Sequence, residues 1–141
     1  MAVVARHLID TSAWARLRRA AVSEVLLPLI EAGLVGTCGI IESEILWSTR
    51  SAAGFEAVRA DRLLGYEWLP TLDEDWSRAF DVQQELWSGG HIRAVGFPDL
   101  LVAAVAERHR LTVWHYDSDF DLIQAVTAQE MRWVVPRGSA P

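Results

Sequence analysis

Seven consecutive apolar residues, Leu100 to Ala106, lie inside the stretch "FPDLLVAAVAERHR" (97–110). Pro98 and Asp99 at its head suit the first turn of a helix, where a missing N–H costs nothing and an acid complements the dipole. A helix that is apolar all round must be buried around most of its girth. Short apolar runs at "VVARHLID" (3–10), "LVGTCG" (34–39), "YEWLP" (66–70), "LTVWHY" (111–116) and "MRWVV" (131–135) read as strands. Helical patterns separate them, over 11–20, 23–33, 40–51, 54–65, 73–90, 97–110 and 117–127. Strands alternating with helices imply an α/β fold with a parallel sheet covered on both faces. In such folds ligands sit beyond the carboxyl ends of the strands, near the point where strand order reverses.

The length, 141 residues, suits one domain, with the polar ending "PRGSAP" (136–141) as a short tail. No apolar run approaches a membrane span, and the N-terminus "MAVVARHLIDTS" lacks signal-peptide character, so a cytoplasmic protein is expected. One cysteine, Cys38, excludes an intrachain disulfide and a thiolate zinc cluster. The net charge of −6 argues against nucleic-acid binding by bulk electrostatics, although all 13 basic residues are arginine, the side chain that grips phosphate in a fork. Seven tryptophans are expected mostly in the core or a dimer interface, and Trp76, Phe80, Gln83 and Trp87 recur at helical spacing.

Four carboxylates fall where a carboxylate is costly or needs a partner. Asp10 ends the first strand in "LIDTSAW", where it either caps the next helix or meets a ligand, with Ser12 free to orient it. Asp99 heads the apolar helix. Asp117 directly follows the strand "TVWHY". For Glu44, a helical wheel of "IIESEILWSTR" with Ile40 at zero puts Ile41, Ile45 and Trp47 at roughly 100°, 140° and 340° and Glu44 at roughly 40°, inside the apolar arc. Glu42 falls at roughly 200° and reads as a solvated surface residue. A buried Glu44 needs either a ligand or an arginine partner.

The run "DSDFD" places Asp117, Asp119 and Asp121 at every other position, yet an EF-hand is excluded: Leu122 stands where its glycine is needed and Ala128 where its closing glutamate is needed. Asp119 and Asp121 suit the first turn of the next helix. If the first and fourth strands are neighbours, Asp10 and Asp117 share one crevice that Glu44 and Asp99 can reach. An all-oxygen set of this kind selects a hard cation, Mg²⁺ or Mn²⁺.

The segments "LIDTSAW", "ESEILWSTR", "FPDLLVAAVAERHRLTVWHYDSDFDLI" and "WVVPRGS", in that order, resemble a PIN-domain ribonuclease of the VapC type, the toxin of bacterial toxin–antitoxin pairs. The resemblance spans nearly the whole chain and is weakest over 52–96. It implies a three-layer α/β/α fold with a central parallel sheet, a single PIN domain over 1–135, and a Mg²⁺-dependent endoribonuclease site. Its acids would be Asp10, Glu44, Asp99 and Asp117, with Ser12 supporting Asp10 and with Glu42 an alternative for the glutamate. The resemblance also implies an RNA substrate, a homodimer and a cognate VapB-type antitoxin, with no membrane partner. Candidate phosphate contacts are Arg16, Arg18, Arg19, Arg50 and Arg93. A receiver or haloacid-dehalogenase reading fails because the chain has no lysine. A metal-binding module that binds RNA or protein without cutting is the competing reading.

Overall fold

A computed structural model describes residues 2–141. Five strands, β1 (His7–Ile9), β2 (Val35–Thr37), β3 (Glu67–Trp68), β4 (Thr112–His115) and β5 (Met131–Trp133), form one sheet in the order β3-β2-β1-β4-β5. Every pairing is parallel. Chain order runs outward from β1 in both directions, so the reversal point lies between β1 and β4. Asp10 and Asp117 follow these two strands, so both leave the sheet side by side at its carboxyl edge.

The helices are α1 (Thr11–Trp14), α2 (Ala20–Glu31), α3 (Gly39–Trp47), α4 (Ala52–Gly65), α5 (Asp73–Ser88), α6 (Phe97–His109) and α7 (Asp119–Thr127). Two apolar clusters separate the layers. On one face of the sheet Leu8 and Val113 meet Ile41, Ile45 and the residues of α5, α6 and α7. On the other, Ile9 and Val35 meet Val22 and Leu26 of α2 together with Val134, Val135 and Ala140. The period-2 alternation of Leu8 and Ile9 thus feeds both clusters from three residues of strand. All seven residues from Leu100 to Ala106 are buried, as their apolar run requires.

Two close fits explain local sequence choices. A Cβ on Gly36 in β2 would stand 2.7 Å from Leu69 Cδ1, so a larger residue there would displace the buried Leu69 side chain. Of the α5 stripe expected in the core or a dimer interface, Trp76, Phe80 and Trp87 are exposed, while Ala79, Val82 and Leu86 pack inward. The reason is proximity to α6, whose facing side carries Ala103 and Ala104; a close helix approach accepts small residues and excludes indoles. None of the seven tryptophans is fully buried. Trp14, Trp114 and Trp133 are half-buried and Trp47, Trp68, Trp76 and Trp87 exposed.

Residues 136–141 fold back onto the α1–α2 region. Arg16 Nε donates to the Ala140 carbonyl at 2.6 Å, Arg19 to that of Pro141, and the Ala140 N–H donates to the Tyr116 hydroxyl at 2.9 Å. Among the described residues, no helix is long and apolar enough to cross a membrane.

Candidate active site

Asp10 leaves β1 with its N–H donating to the Trp114 carbonyl at 2.9 Å, which ties it to the end of β4. Its Oδ2 accepts from Ser12 N at 3.0 Å and from Ser12 Oγ at 2.6 Å, so it caps α1 and is oriented by the serine. The same Ser12 Oγ accepts from Tyr116 N at 2.9 Å. One hydroxyl therefore joins the two strand ends that carry Asp10 and Asp117. The two readings of Asp10, cap and ligand, are compatible, because capping uses one oxygen.

Asp117 is placed by its neighbours in the chain. Its N–H donates to His115 Nδ1 at 3.2 Å, and its Oδ1 accepts from Asp119 N at 2.9 Å at the start of α7. His115 is fully buried, with Phe120 and Trp133 rings 5.0 and 5.1 Å away. Because Nδ1 accepts, the ring carries its proton on Nε2, and burial lowers its pKa, which keeps it neutral.

Asp99 enters from the first turn of α6. Carboxylate oxygens of Asp99, Asp117 and Asp119 all lie within 4.8 Å of one another. Asp10 and Glu44 stand at the edge of this triad, close enough for their charges to act on Asp99. Burial, and then the charges of Asp10, Asp117, Asp119 and Glu44, push Asp99 up to about 8. Burial also raises Asp10, with Asp117 adding to the shift and the Ser12 hydrogen bonds opposing it. Glu44 rises through burial and the charge of Asp10, against a hydrogen bond from Thr11 Oγ1 at 3.2 Å. So many carboxylates repelling one another, with no cationic side chain bonded to any of Asp10, Glu44, Asp99 or Asp117 among the described residues, fit a bound cation. The donors are all oxygen, which suits a hard divalent ion.

Asp119 was not among the expected site residues. It does begin α7, as its helix-start chemistry predicts, but its carboxylate also reaches Asp99 and Asp117. The signal was its two-residue spacing from Asp117, where a chain turning out of a strand brings alternate side chains together. Asp121 goes elsewhere and accepts from Trp133 Nε1 at 3.0 Å.

The two glutamates exchange the surroundings the helical wheel predicts. Glu42, expected in solvent, is bound through both oxygens by Arg62 Nε at 2.9 and 2.7 Å and through Oε2 by Thr37 Oγ1 at 2.5 Å. Arg62 is 4% exposed. Glu44, expected inside the apolar arc, is exposed and lies at the rim near Thr11 and Asp10. The wheel fails because the arc was centred partly on Trp47, which is exposed at the end of α3, while β2 and α4 cover the side carrying Glu42. Glu42 is thus committed to Arg62, whereas Glu44 stands beside Thr11 with its charge acting on Asp99.

Of the candidate phosphate contacts, Arg16 and Arg19 are occupied by carbonyls of 136–141, and Arg16 also donates to Ser12 O at 2.7 Å. Arg18, Arg50 and Arg93 are exposed.

A parallel sheet with acids gathered at its reversal point, covered by helices on both faces, defines a class, and residues 7–126 match the PIN domain. The chain belongs to the PIN-domain family. It is 42% identical over 135 residues to Ribonuclease VapC21 of Mycobacterium tuberculosis, covering 96% of this chain and 98% of that protein. Among solved structures it is similar to DNA-bound VapBC from Salmonella typhimurium, with a TM-score of 0.75, 16% identity and 93% and 99% of the two chains covered. It also resembles VapBC-5 of M. tuberculosis, a member of the VapBC family of toxin-antitoxin systems, with a TM-score of 0.60, 22% identity and 89% and 97% coverage.

Proposed function

We propose that the chain is a Mg²⁺-dependent endoribonuclease and the toxin of a toxin–antitoxin pair. The observation that carries this reading is the triad of Asp99, Asp117 and Asp119 at the β1–β4 reversal point, flanked by Asp10 and Glu44. Its full-length similarity to a protein named a ribonuclease supports RNA as the substrate. Similarity to VapBC structures supports a VapB-type antitoxin as partner. A homodimer acting in the cytoplasm, built from one PIN domain over 1–135 with the segment 136–141 appended, completes the proposal.

Asp10 and Asp99 would hold the principal Mg²⁺, with Asp117 and Glu44 completing its surroundings or orienting water, and with Mn²⁺ able to take its place. Such an ion supplies charge neutralisation and Lewis acidity for attack of water on a phosphodiester. The chain's own contribution is placement. Ser12 fixes the Asp10 carboxylate, and the turn into α7 fixes Asp117 through the Asp119 N–H. Glu44, exposed at the rim, is free to accept a hydrogen bond from an incoming water. Water forms the new bond to phosphorus and the bond to the 3′ oxygen breaks, which leaves a 5′-phosphate and a 3′-hydroxyl. Metal also answers the charge objection, since the acids most hostile to RNA are the ones it neutralises.

The test incubates antitoxin-free protein with a mixed RNA pool in Mg²⁺, Mn²⁺ or EDTA and maps product ends. Cleavage in either metal, none in EDTA, and 5′-phosphate ends are expected. RNA that is bound yet left intact under every metal would support the non-cleaving module instead.

A further inference from the structure

Along the same edge of the sheet, past the end of β2, lies a cavity of about 350 Å³. Its walls include Thr37, Glu42, Arg59, Arg62, Tyr66 and Trp68. Arg62 is 4% exposed, and each part of its guanidinium but one is accounted for. Nε is held by Glu42, Nη2 donates to Thr37 Oγ1 at 3.4 Å, and the group lies over the Tyr66 ring at 3.9 Å. Nη1 is buried and has no hydrogen-bond partner among the described residues. A buried donor without an acceptor is costly, and Arg62 forms part of the cavity wall.

The chemistry of that acceptor follows from charge. Glu42 already neutralises Arg62, so the free N–H calls for a neutral acceptor, such as a base carbonyl or ring nitrogen, rather than for an anion. Trp68 is 57% exposed at the cavity wall and offers an aromatic face, the platform on which unstacked RNA bases rest. Arg59 is exposed beside it and can meet a backbone phosphate. The volume lies in the range of small-ligand sites. The position is also suitable: β3 ends two strands from β1, about 10 Å from Asp10 by ordinary strand spacing.

We propose that this cavity is a nucleobase subsite in which Trp68 stacks on one base of the RNA substrate while Arg62 Nη1 donates to that base and Arg59 contacts the adjoining phosphate. It rests on the ribonuclease reading and adds a determinant of where the RNA is cut. Every base carries acceptors, so selection comes from where this one donor stands relative to the Trp68 face: the base whose acceptor reaches Nη1 while its ring is stacked binds best.

The experiment separates this subsite from the ribonuclease reading by measuring binding as well as cutting. Fluorescein-labelled single-stranded RNA hexamers of rA, rC, rG and rU are titrated in Mg²⁺ with the Asp99→Asn protein, with or without Trp68→Ala, Trp68→Phe or Arg59→Ala, and anisotropy is read. Trp68 and Arg59 are exposed, so these variants should fold, which thermal melting checks. The expected result is preference for one homopolymer, binding on the order of tenfold weaker with Trp68→Ala together with loss of that preference, and retention with Trp68→Phe. In parallel, sequencing of cut ends from the Asp99 protein should show a base preference beside the cut that Trp68→Ala erases. Unchanged affinity and preference in Trp68→Ala, or no RNA binding by the Asp99→Asn protein itself, overturns the subsite. So does a Trp68→Ala protein that handles RNA normally but no longer holds its antitoxin, which assigns the cavity to a protein partner. If RNA binds with the expected preference and no protein cuts it in any metal, the ribonuclease reading fails and the base subsite stands.

Discussion

Arg62 Nε binds both oxygens of Glu42, at 2.9 and 2.7 Å, behind α3 and away from the acid cluster. Removing Glu42 leaves a guanidinium buried without its counter-charge, so Glu42→Ala should destabilise the protein by about 3 kcal/mol or more. Glu44 is exposed and pairs with no arginine, so Glu44→Gln should change stability by less than about 0.5 kcal/mol. On cleavage the two should act the other way, with Glu44→Gln slowing a folded enzyme. Urea unfolding of both variants, read beside their RNA cleavage, checks this exchange; equal stability losses would contradict it.

The Asp99 carboxyl gives a pH dependence whose sign is definite. Its pKa in the metal-free fold is about 8 against an ordinary 3.8, so the fold takes up a proton between those values. Stability of metal-free protein is then greatest at the acid end of that window and falls as pH rises through 8. Asp99→Asn should therefore raise the melting temperature of metal-free protein at pH 8 and do little at about pH 3, below both values, where both states carry the proton. Each kcal/mol recovered is worth about 3–5 °C in a domain of this size. Melting curves in EDTA at the two pH values read it directly.

A bound ion should reverse that pH trend. Binding to the fold alone stabilises it by about 2.7 kcal/mol at a hundredfold excess over Kd, and displaces the Asp99 proton. Mg²⁺ should thus raise the melting temperature more at pH 8 than at pH 5, and Asp99→Asn should abolish most of the gain. A metal-induced rise of the same size in Asp99→Asn would place the ion elsewhere.

Ser12 Oγ bridges Asp10 and the Tyr116 N–H at 2.6 and 2.9 Å. Ser12→Ala removes a donor from a buried carboxylate and an acceptor from a backbone N–H, at a cost of about 1–3 kcal/mol. As a group that orients a proposed metal ligand, it should also lower metal affinity or cleavage by about 10–100-fold. Ser12→Thr, which keeps the hydroxyl, should recover much of both; isothermal titration with Mn²⁺ separates the metal effect from folding.

What was legible in the sequence was what local chemistry determines. The unbroken apolar run 100–106 gave a buried helix because no arrangement of such a helix leaves it a polar face. Asp10 and Asp117 could each be placed at a strand end from the apolar run before it, whereas their adjacency required β1 and β4 to be neighbours, as they are. The pairing of Glu42 and the exposure of Glu44 differ from the helical wheel because their surroundings depend on α4 and β2, distant segments that a wheel of α3 alone omits. Trp76 and Trp87 lie outside the core because the inward face of α5 is the one that carries Ala79, Val82 and Leu86. Asp119 was passed over because its helix-start role is complete in itself, and only the third dimension adds Asp99. Arg16 and Arg19 could not be seen to be engaged without the return of 136–141.

The central claim is that the carboxylates at the β1–β4 reversal point cut RNA with a bound divalent ion. The direct measurement is the initial cleavage rate of one RNA by antitoxin-free protein at saturating Mg²⁺, with and without Asp99→Asn, with circular dichroism confirming both folds. The rate should fall at least about a hundredfold in the variant, a loss of about 2.7 kcal/mol or more of transition-state stabilisation. Cleavage by Asp99→Asn at the rate of the unchanged protein would contradict the claim.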